Sequence, residues 1–162
     1  MMLQVRNLTV SYGASVILKG IDLDVPKGGI TTIVGPNGCG KSTLLRAAAG
    51  LLARDCGTVT LNGVDMAELK RREIARQLAV LPQTPVAPEG LTVRDLVGRG
   101  RHPHQSWLRQ DSAKDSRVVD AVMELTKITE LANRPLERLS GGQRQRAWIA
   151  MVLAQELSLI HI

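Results

Sequence analysis

Residues Gly35 to Thr43 read GPNGCGKST. The stretch fits the pattern G-x-x-x-x-G-K-[ST]. It follows a short β-branched run, "ITTIVG", and opens a run of helix-forming residues, "KSTLLRAAAGLL". A glycine-rich turn between strand and helix can curl until successive backbone N–H groups face one anion. The helix start adds partial positive charge. On this reading Gly35, Pro36, Asn37, Gly38, Cys39 and Gly40 cradle a polyphosphate, and Lys41 reaches its terminal oxygens. The Ser42 hydroxyl, with Thr43 beside it, enters a Mg²⁺ shell. At ordinary residue usage the pattern arises by accident in fewer than ~1% of chains this long, and the strand–loop–helix context lowers that further. Cys39 is expected to be a loop residue rather than a redox centre.

Working outward, "LQVRNLTVSY" (residues 3–12) and "GIDLDVP" (20–26) read as N-terminal strands, the second closed by Pro26-Lys27-Gly28-Gly29. "ITTIVG" reads as the strand feeding the phosphate turn. "GTVTLNG" and "LAVLPQ" are further strand candidates, with a charged helical stretch, "MAELKRREIARQ", between them. After Gln83 the composition changes. "TPVAPEG" is loop, and from Thr92 the chain reads mainly as helix. Thr92 is expected to cap "VRDLVGRG" and Ser112 to cap "AKDSRVVDAVMELTKI", with Val118, Val119, Val122 and Leu125 along one face.

"LSGGQRQR" begins at Leu139. Ser140 and Gln143 have capping-box spacing, which marks a helix start. Two adjacent glycines there, Gly141 and Gly142, are poor for helix stability but leave bare N–H groups that an anion can approach. The chain is thus expected to hold two phosphate-binding helix ends.

The 162 residues carry a net charge of +6, only 2% aromatics and no Phe. The core must therefore be aliphatic, which suits a parallel α/β sheet. A basic balance admits nucleic acid, an anionic membrane face or a polyphosphate ligand. With Tyr12, Trp107 and Trp148 as the aromatics, base-stacking platforms are disfavoured and no nucleic-acid partner is expected. No uncharged apolar run reaches the ~18 residues of a membrane span, and the start lacks a signal-peptide pattern. Two cysteines, Cys39 and Cys56, fit a reducing compartment.

The order Tyr12, "GPNGCGKST", "LPQ", "LSGGQ" resembles the ATP-binding subunit of ABC transporters, from Met1 to about Glu156. The resemblance implies an α/β fold, a P-loop NTPase (RecA-like) core with N-terminal antiparallel strands and an inserted α-helical subdomain. The core spans residues 1–83, the helical subdomain 84–139, and the signature motif with its helix 140–156. It also implies that Tyr12 stacks on adenine and that Gln83 touches Mg²⁺ and the attacking water. Ser140, Gly141, Gly142 and Gln143 would cap the γ-phosphate of ATP held by a second copy in a sandwich dimer. Lys41, Gln83, Ser140, Gly142 and Gln143 are then the catalytic set, ATP and Mg²⁺ the cofactors.

The wording "LTVRDLVGRGRHPHQ" and "LSGGQRQRAWIAMVLAQE" is most similar to ATPases of ferric-siderophore importers, with haem and cobalamin importers close by. Such a subunit lies on the cytoplasmic face of a bacterial inner membrane against permease subunits, served indirectly by a substrate-binding protein. A non-transport role stays open. His102 and His104 are expected in a surface loop rather than at a metal. The family continues after the signature helix with an apolar strand ending in Asp-Glu, a D-loop and a switch histidine. These are expected to be missing here, and "LSLIHI" (residues 157–162) reads as a non-native tail, encodable as a transposon-end adaptor. The chain by itself is then expected to bind nucleotide without turnover.

Overall fold

The computed structural model describes residues 2–83, 85–104, 113–155 and 159–161. They form two compact units, Met1–Ile74 and Ala75–Ile162.

The first unit is built on an antiparallel sheet of β1 (Leu3–Tyr12), β2 (Ser15–Val25), β3 (Cys56–Leu61) and β4 (Val64–Asp65) in the order β2-β1-β3-β4. Leu3 and Val5 point inward, then Leu8 and Val10. An odd-numbered inward set becomes an even-numbered one, which a regular strand of period two cannot do. A bulge makes the change. Asn7 takes a positive φ of 48°, its N–H donates to Asp22 Oδ1 at 2.6 Å, and the register with β2 slips between Val5 and Leu8. On the other side Gly57 (φ 95°) lets β3 pass so close that a Cβ there would lie 2.5 Å from the Asn7 carbonyl oxygen. The strand expected over 3–12 forms as β1, with its inward side switched by the bulge at Asn7.

Helix α1 (Lys41–Ala48) packs on β1 and β2, burying Leu44, Ala47 and Ala48. Its start is tied to the sheet, since a Cβ on Gly40 would meet Leu18 at 3.0 Å and Ile17 at 3.4 Å. The strand expected at "ITTIVG" does not form. Residues 30–36 have no regular structure, with Ile30 96% and Val34 84% exposed. A buried parallel strand exists only through hydrogen bonds to its neighbours, and among the described residues no strand pairs with this run. "MAELKRREIARQ" is helical only as the five residues of α2 (Arg71–Ala75).

In the second unit β5 (Leu78–Val80) pairs in parallel with β6 (Leu159–His161). Residues 159–161, part of the stretch read from the sequence as a tail, lie alongside Leu78–Val80.

The helical core joins α3 (Val93–Arg99), α4 (Ala113–Leu125) and α5 (Gly141–Leu153). Thr92 caps α3 in a full capping box with Asp95, as expected. The expected cap at Ser112 lies outside the described residues. The face of α4 agrees with the sequence reading at Val119 and Val122, which meet the core, and departs from it at Leu125. Asp115, Val119 and Met123 are buried, while Leu125 is 71% exposed. Residues four apart share a helix face, and Leu125 stands about 200° round from Met123. Alanines 147, 150 and 154 face this core, and their small size admits α3 closely.

Two consequences can be measured. Gly57→Ala meets both a left-handed backbone and two carbonyl oxygens, and should cost about 3 kcal/mol or more in chemical denaturation. Gly63→Ala shares the positive φ (85°) but has open space around it. It should cost only about 1–2 kcal/mol.

The second concerns acid. The Ala67 N–H (2.8 Å) and then the Arg54 guanidinium (3.1 Å) hold the Asp65 carboxyl below the usual carboxylate range. A depressed folded pKa gives stability that is complete above the unfolded value and is lost as pH falls through the folded one. The urea midpoint should therefore drop below about pH 4, and Asp65→Asn should weaken that dependence.

Candidate nucleotide-binding elements

The first unit carries the glycine-rich turn and Tyr12. Gly38 (φ 82°) and Gly40 (φ 94°) take left-handed conformations, which lets the loop fold back before α1 begins. The first intrahelical bond is Leu44 N–H to the Gly40 carbonyl at 2.8 Å. The N–H groups of Lys41, Ser42 and Thr43 therefore have no partner inside the helix, as at any helix start. No acidic residue stands in the first turn of α1. Lys41 Nζ donates to the carbonyls of Gly35 (2.8 Å) and Pro36 (2.6 Å) and lies 3.7 Å from Cys39 Sγ. Carbonyls orient the ammonium without neutralising it, and no carboxylate among the described residues forms an ion pair with it. Its charge suits an anion.

Cys39 is exposed, as a loop residue should be, and its sulfur lies where a Cβ on Gly35 would come within 2.8 Å. Pro36, Asn37 and Ser42 are exposed along the same loop. Tyr12 ends β1, pairs with Ser15 across the hairpin and is 48% exposed. The same hairpin supplies Ile17 and Leu18, which abut Gly40. Tyr12 and the phosphate turn thus belong to one packed unit, with the ring free to receive a flat apolar group.

The second unit carries Gln83 and the "LSGGQ" turn. Gln83 is exposed in a bend after β5. Ser140 is the N-cap of α5. Its Oγ accepts from Gln143 N–H at 3.3 Å, and Gln143 Oε1 accepts from Ser140 N–H at 3.0 Å, the capping box expected from the sequence. The first intrahelical bond runs from Arg144 N–H to the Ser140 carbonyl at 2.9 Å. The N–H groups of Gly141 and Gly142 precede it, and a Cβ on either glycine would meet nothing within 4 Å. No acid stands in this first turn either, whereas α3 places Asp95 in its own. A carboxylate there would occupy the electrostatic role that α1 and α5 leave to a ligand.

The two arginines of "QRQR" brace the helix. Arg144 Nη2 donates to the Leu136 carbonyl (3.1 Å) and Arg146 Nη1 to that of Lys127 (3.3 Å). His104 is more than a surface-loop residue, because its Nε2 lies 2.6 Å from the Gln155 carbonyl, at the far end of α5. Sequence reasoning missed this contact and missed Arg101, since the partners of both lie far along the chain, at Asp115, Ala154 and Gln155.

The profile of the ABC transporter family matches residues 18–162. The chain is 51% identical over 158 residues to the "Petrobactin import ATP-binding protein FpuD" of Bacillus anthracis, covering 98% of this chain and 58% of that one. It is 43% identical to the "Ferric enterobactin transport ATP-binding protein FepC" of Escherichia coli (strain K12), covering 96% and 57%. The chain spans a little over half the length of these curated relatives. Among solved structures it is similar to "a putative metal-chelate type ABC transporter" in an inward-facing conformation (TM-score 0.80, 31% identity, 96% of this chain and 56% of that one). It is also similar to a nucleotide-free ATP-binding cassette (TM-score 0.85, 28% identity, 98% and 67%). These cassettes share the P-loop NTPase fold, and the chain belongs to the ABC transporter ATP-binding family.

Proposed function

We propose that this chain is the nucleotide-binding portion of an ABC importer ATPase, whose full protein couples ATP hydrolysis to uptake of an iron(III)–siderophore complex through a membrane permease. One observation carries the reading: two helix starts, at Lys41 and Gly141, are each opened by glycines and left without a first-turn acid. Relatives named for siderophore import support the cargo, and they support a place on the cytoplasmic face of the membrane. No helix among the described residues is long and apolar enough to cross a membrane, which is consistent with a peripheral subunit.

The roles follow from chemistry. Tyr12 stacks on the adenine. Backbone N–H groups from Gly38 to Thr43 hold the β-phosphate, and Lys41 turns from the Gly35 and Pro36 carbonyls to the β/γ oxygens. The Ser42 hydroxyl and the Gln83 amide oxygen are each hard donors of the kind Mg²⁺ takes. When bound, Mg²⁺ neutralises charge developing on the phosphate oxygens. Ser140, Gly141, Gly142 and Gln143 approach the γ-phosphate held by a second copy, so each site is completed across a two-fold axis.

A cleft in the helical unit is lined by Pro85, Ala87 and Pro88 on one side and by Leu136, Arg144 and Trp148 on the other. Its first wall starts two residues after Gln83, and its second includes the signature helix. A permease segment seated there feels both, and a substrate-binding protein acts only through that permease.

Lys41→Ala removes a charge-assisted contact worth about 1.5–3 kcal/mol. ATP affinity measured by calorimetry should fall at least about tenfold, and an unchanged affinity would remove the phosphate-loop assignment. In a chain of the relatives' full length, Ser140→Arg sets bulk and charge where a phosphate meets bare N–H groups. It should retain ATP binding while hydrolysis drops by roughly 100-fold, as when a positioned donor to transition-state charge is lost. Normal turnover in that variant would contradict the role across the dimer. Deleting the gene should abolish cellular uptake of radioactive iron supplied as a siderophore chelate, and unchanged uptake would refute the cargo.

A further inference from the structure

Arg101 is among the largest fully buried side chains, 2% exposed. Its Nε donates to Asp115 Oδ1 at 2.8 Å, and its Nη1 donates to the Ala154 carbonyl at 2.7 Å. One guanidinium therefore ties three places together: the chain just past α3, the first turn of α4 through Asp115, and the C-cap residue of α5. Two neighbours tighten the same junction. A Cβ on Gly100 would clash with the Met151 carbonyl oxygen and come within 3.0 Å of the Ala154 Cβ. A carbonyl can only accept, so His104 donates its Nε2–H to Gln155. Helix α5 has no basic residue in its own last turn. The cation that a helix C-terminus favours comes from Arg101.

Stability alone does not account for this arrangement. Burying a carboxylate and a guanidinium costs several kcal/mol per ion, and apolar replacements of similar volume are often as stable or more so. What a forked, rigid donor supplies is geometry. Bonds to Asp115 and to one particular carbonyl are satisfied together at a single axial position and rotation of α5. That helix is a rod of 13 residues, roughly 20 Å long, and its opposite end is the Ser140–Gln143 turn.

We propose that Arg101, with Asp115, is a positioning residue for the signature turn: by clamping the C-terminal end of α5 it fixes where the Gly141 and Gly142 N–H groups stand. The proposal rests on the phosphate-binding reading of that turn. It adds a residue 39 positions earlier in the chain.

Three variants test it in a chain of the relatives' full length: Arg101→Lys, Arg101→Met, and Arg101→Met combined with Asp115→Leu. The double variant removes both charges and is expected to melt at or above the original temperature. Its kcat for ATP hydrolysis should fall at least tenfold with KM within twofold, because the Lys41 loop is untouched. Arg101→Lys keeps the charge without the fork and should lose about three- to tenfold in kcat. Amide exchange over residues 140–146 should speed up about tenfold in the double variant while residues 93–99 stay unchanged, a readout that needs no turnover. A kcat within twofold of the original, or exchange unchanged at the signature turn, overturns the proposal. So does a kcat loss that appears only with a lowered melting temperature in both lysine and double variants. If the unsubstituted protein itself fails to hydrolyse ATP, the importer-ATPase reading falls, and the exchange experiment still decides the role of Arg101.

Discussion

Every helix begins with N–H groups that the helix cannot satisfy, and the fate of those groups organises this molecule. Helix α3 satisfies part of the requirement internally, with Thr92 and Asp95 supplying oxygen and negative charge. Helices α1 and α5 have no such acid, and glycines strip side chains from their approach. The Ser140–Gln143 box satisfies one donor of α5 and still leaves those of Gly141 and Gly142 in front.

Openness at one end has to be offset by restraint elsewhere. Around the phosphate turn the restraint is the sheet, because Gly40 lies against Ile17 and Leu18, and the Lys41 ammonium is anchored on two loop carbonyls. Around the signature turn it is the alanine face of α5 and the polar junction at its far end, where Arg101 and His104 take up the last carbonyls. Each unit thus pairs an exposed, glycine-rich tip with a buried base. This is the division expected where a loop must meet a ligand repeatedly without dragging the scaffold with it.

The antiparallel sheet shows the same economy of local disruption. A single residue, Asn7, turns the inward side of β1 from odd to even positions, and two glycines, Gly20 and Gly57, stand on the flanking strands where the bulge presses closest. Without the bulge, Leu8 and Val10 would point away from the core they now fill.

What the sequence determined by itself is local. The strand at Leu3–Tyr12, the helix beginning at Lys41, and the capping boxes at Thr92 and Ser140 could be read directly. Their signals, such as period-two alternation, glycine spacing and a hydroxyl three residues before an amide or acid, act over one turn of chain. The same holds for the motif spacing around Lys41, Ser42 and Gly142. Only the tertiary structure decided the rest. "ITTIVG" has every propensity of a strand, yet strand structure is a relation between neighbours, and none among the described residues pairs with it. On α4 the periodic apolar positions admitted two adjacent faces, and the packing of α3 and α5 chose the one bearing Asp115, Val119 and Met123. Arg101 reads as a surface charge in any scan of composition. It is buried because Asp115 and Ala154, 14 and 53 residues later, converge on it, and no short-range pattern encodes a meeting at that distance.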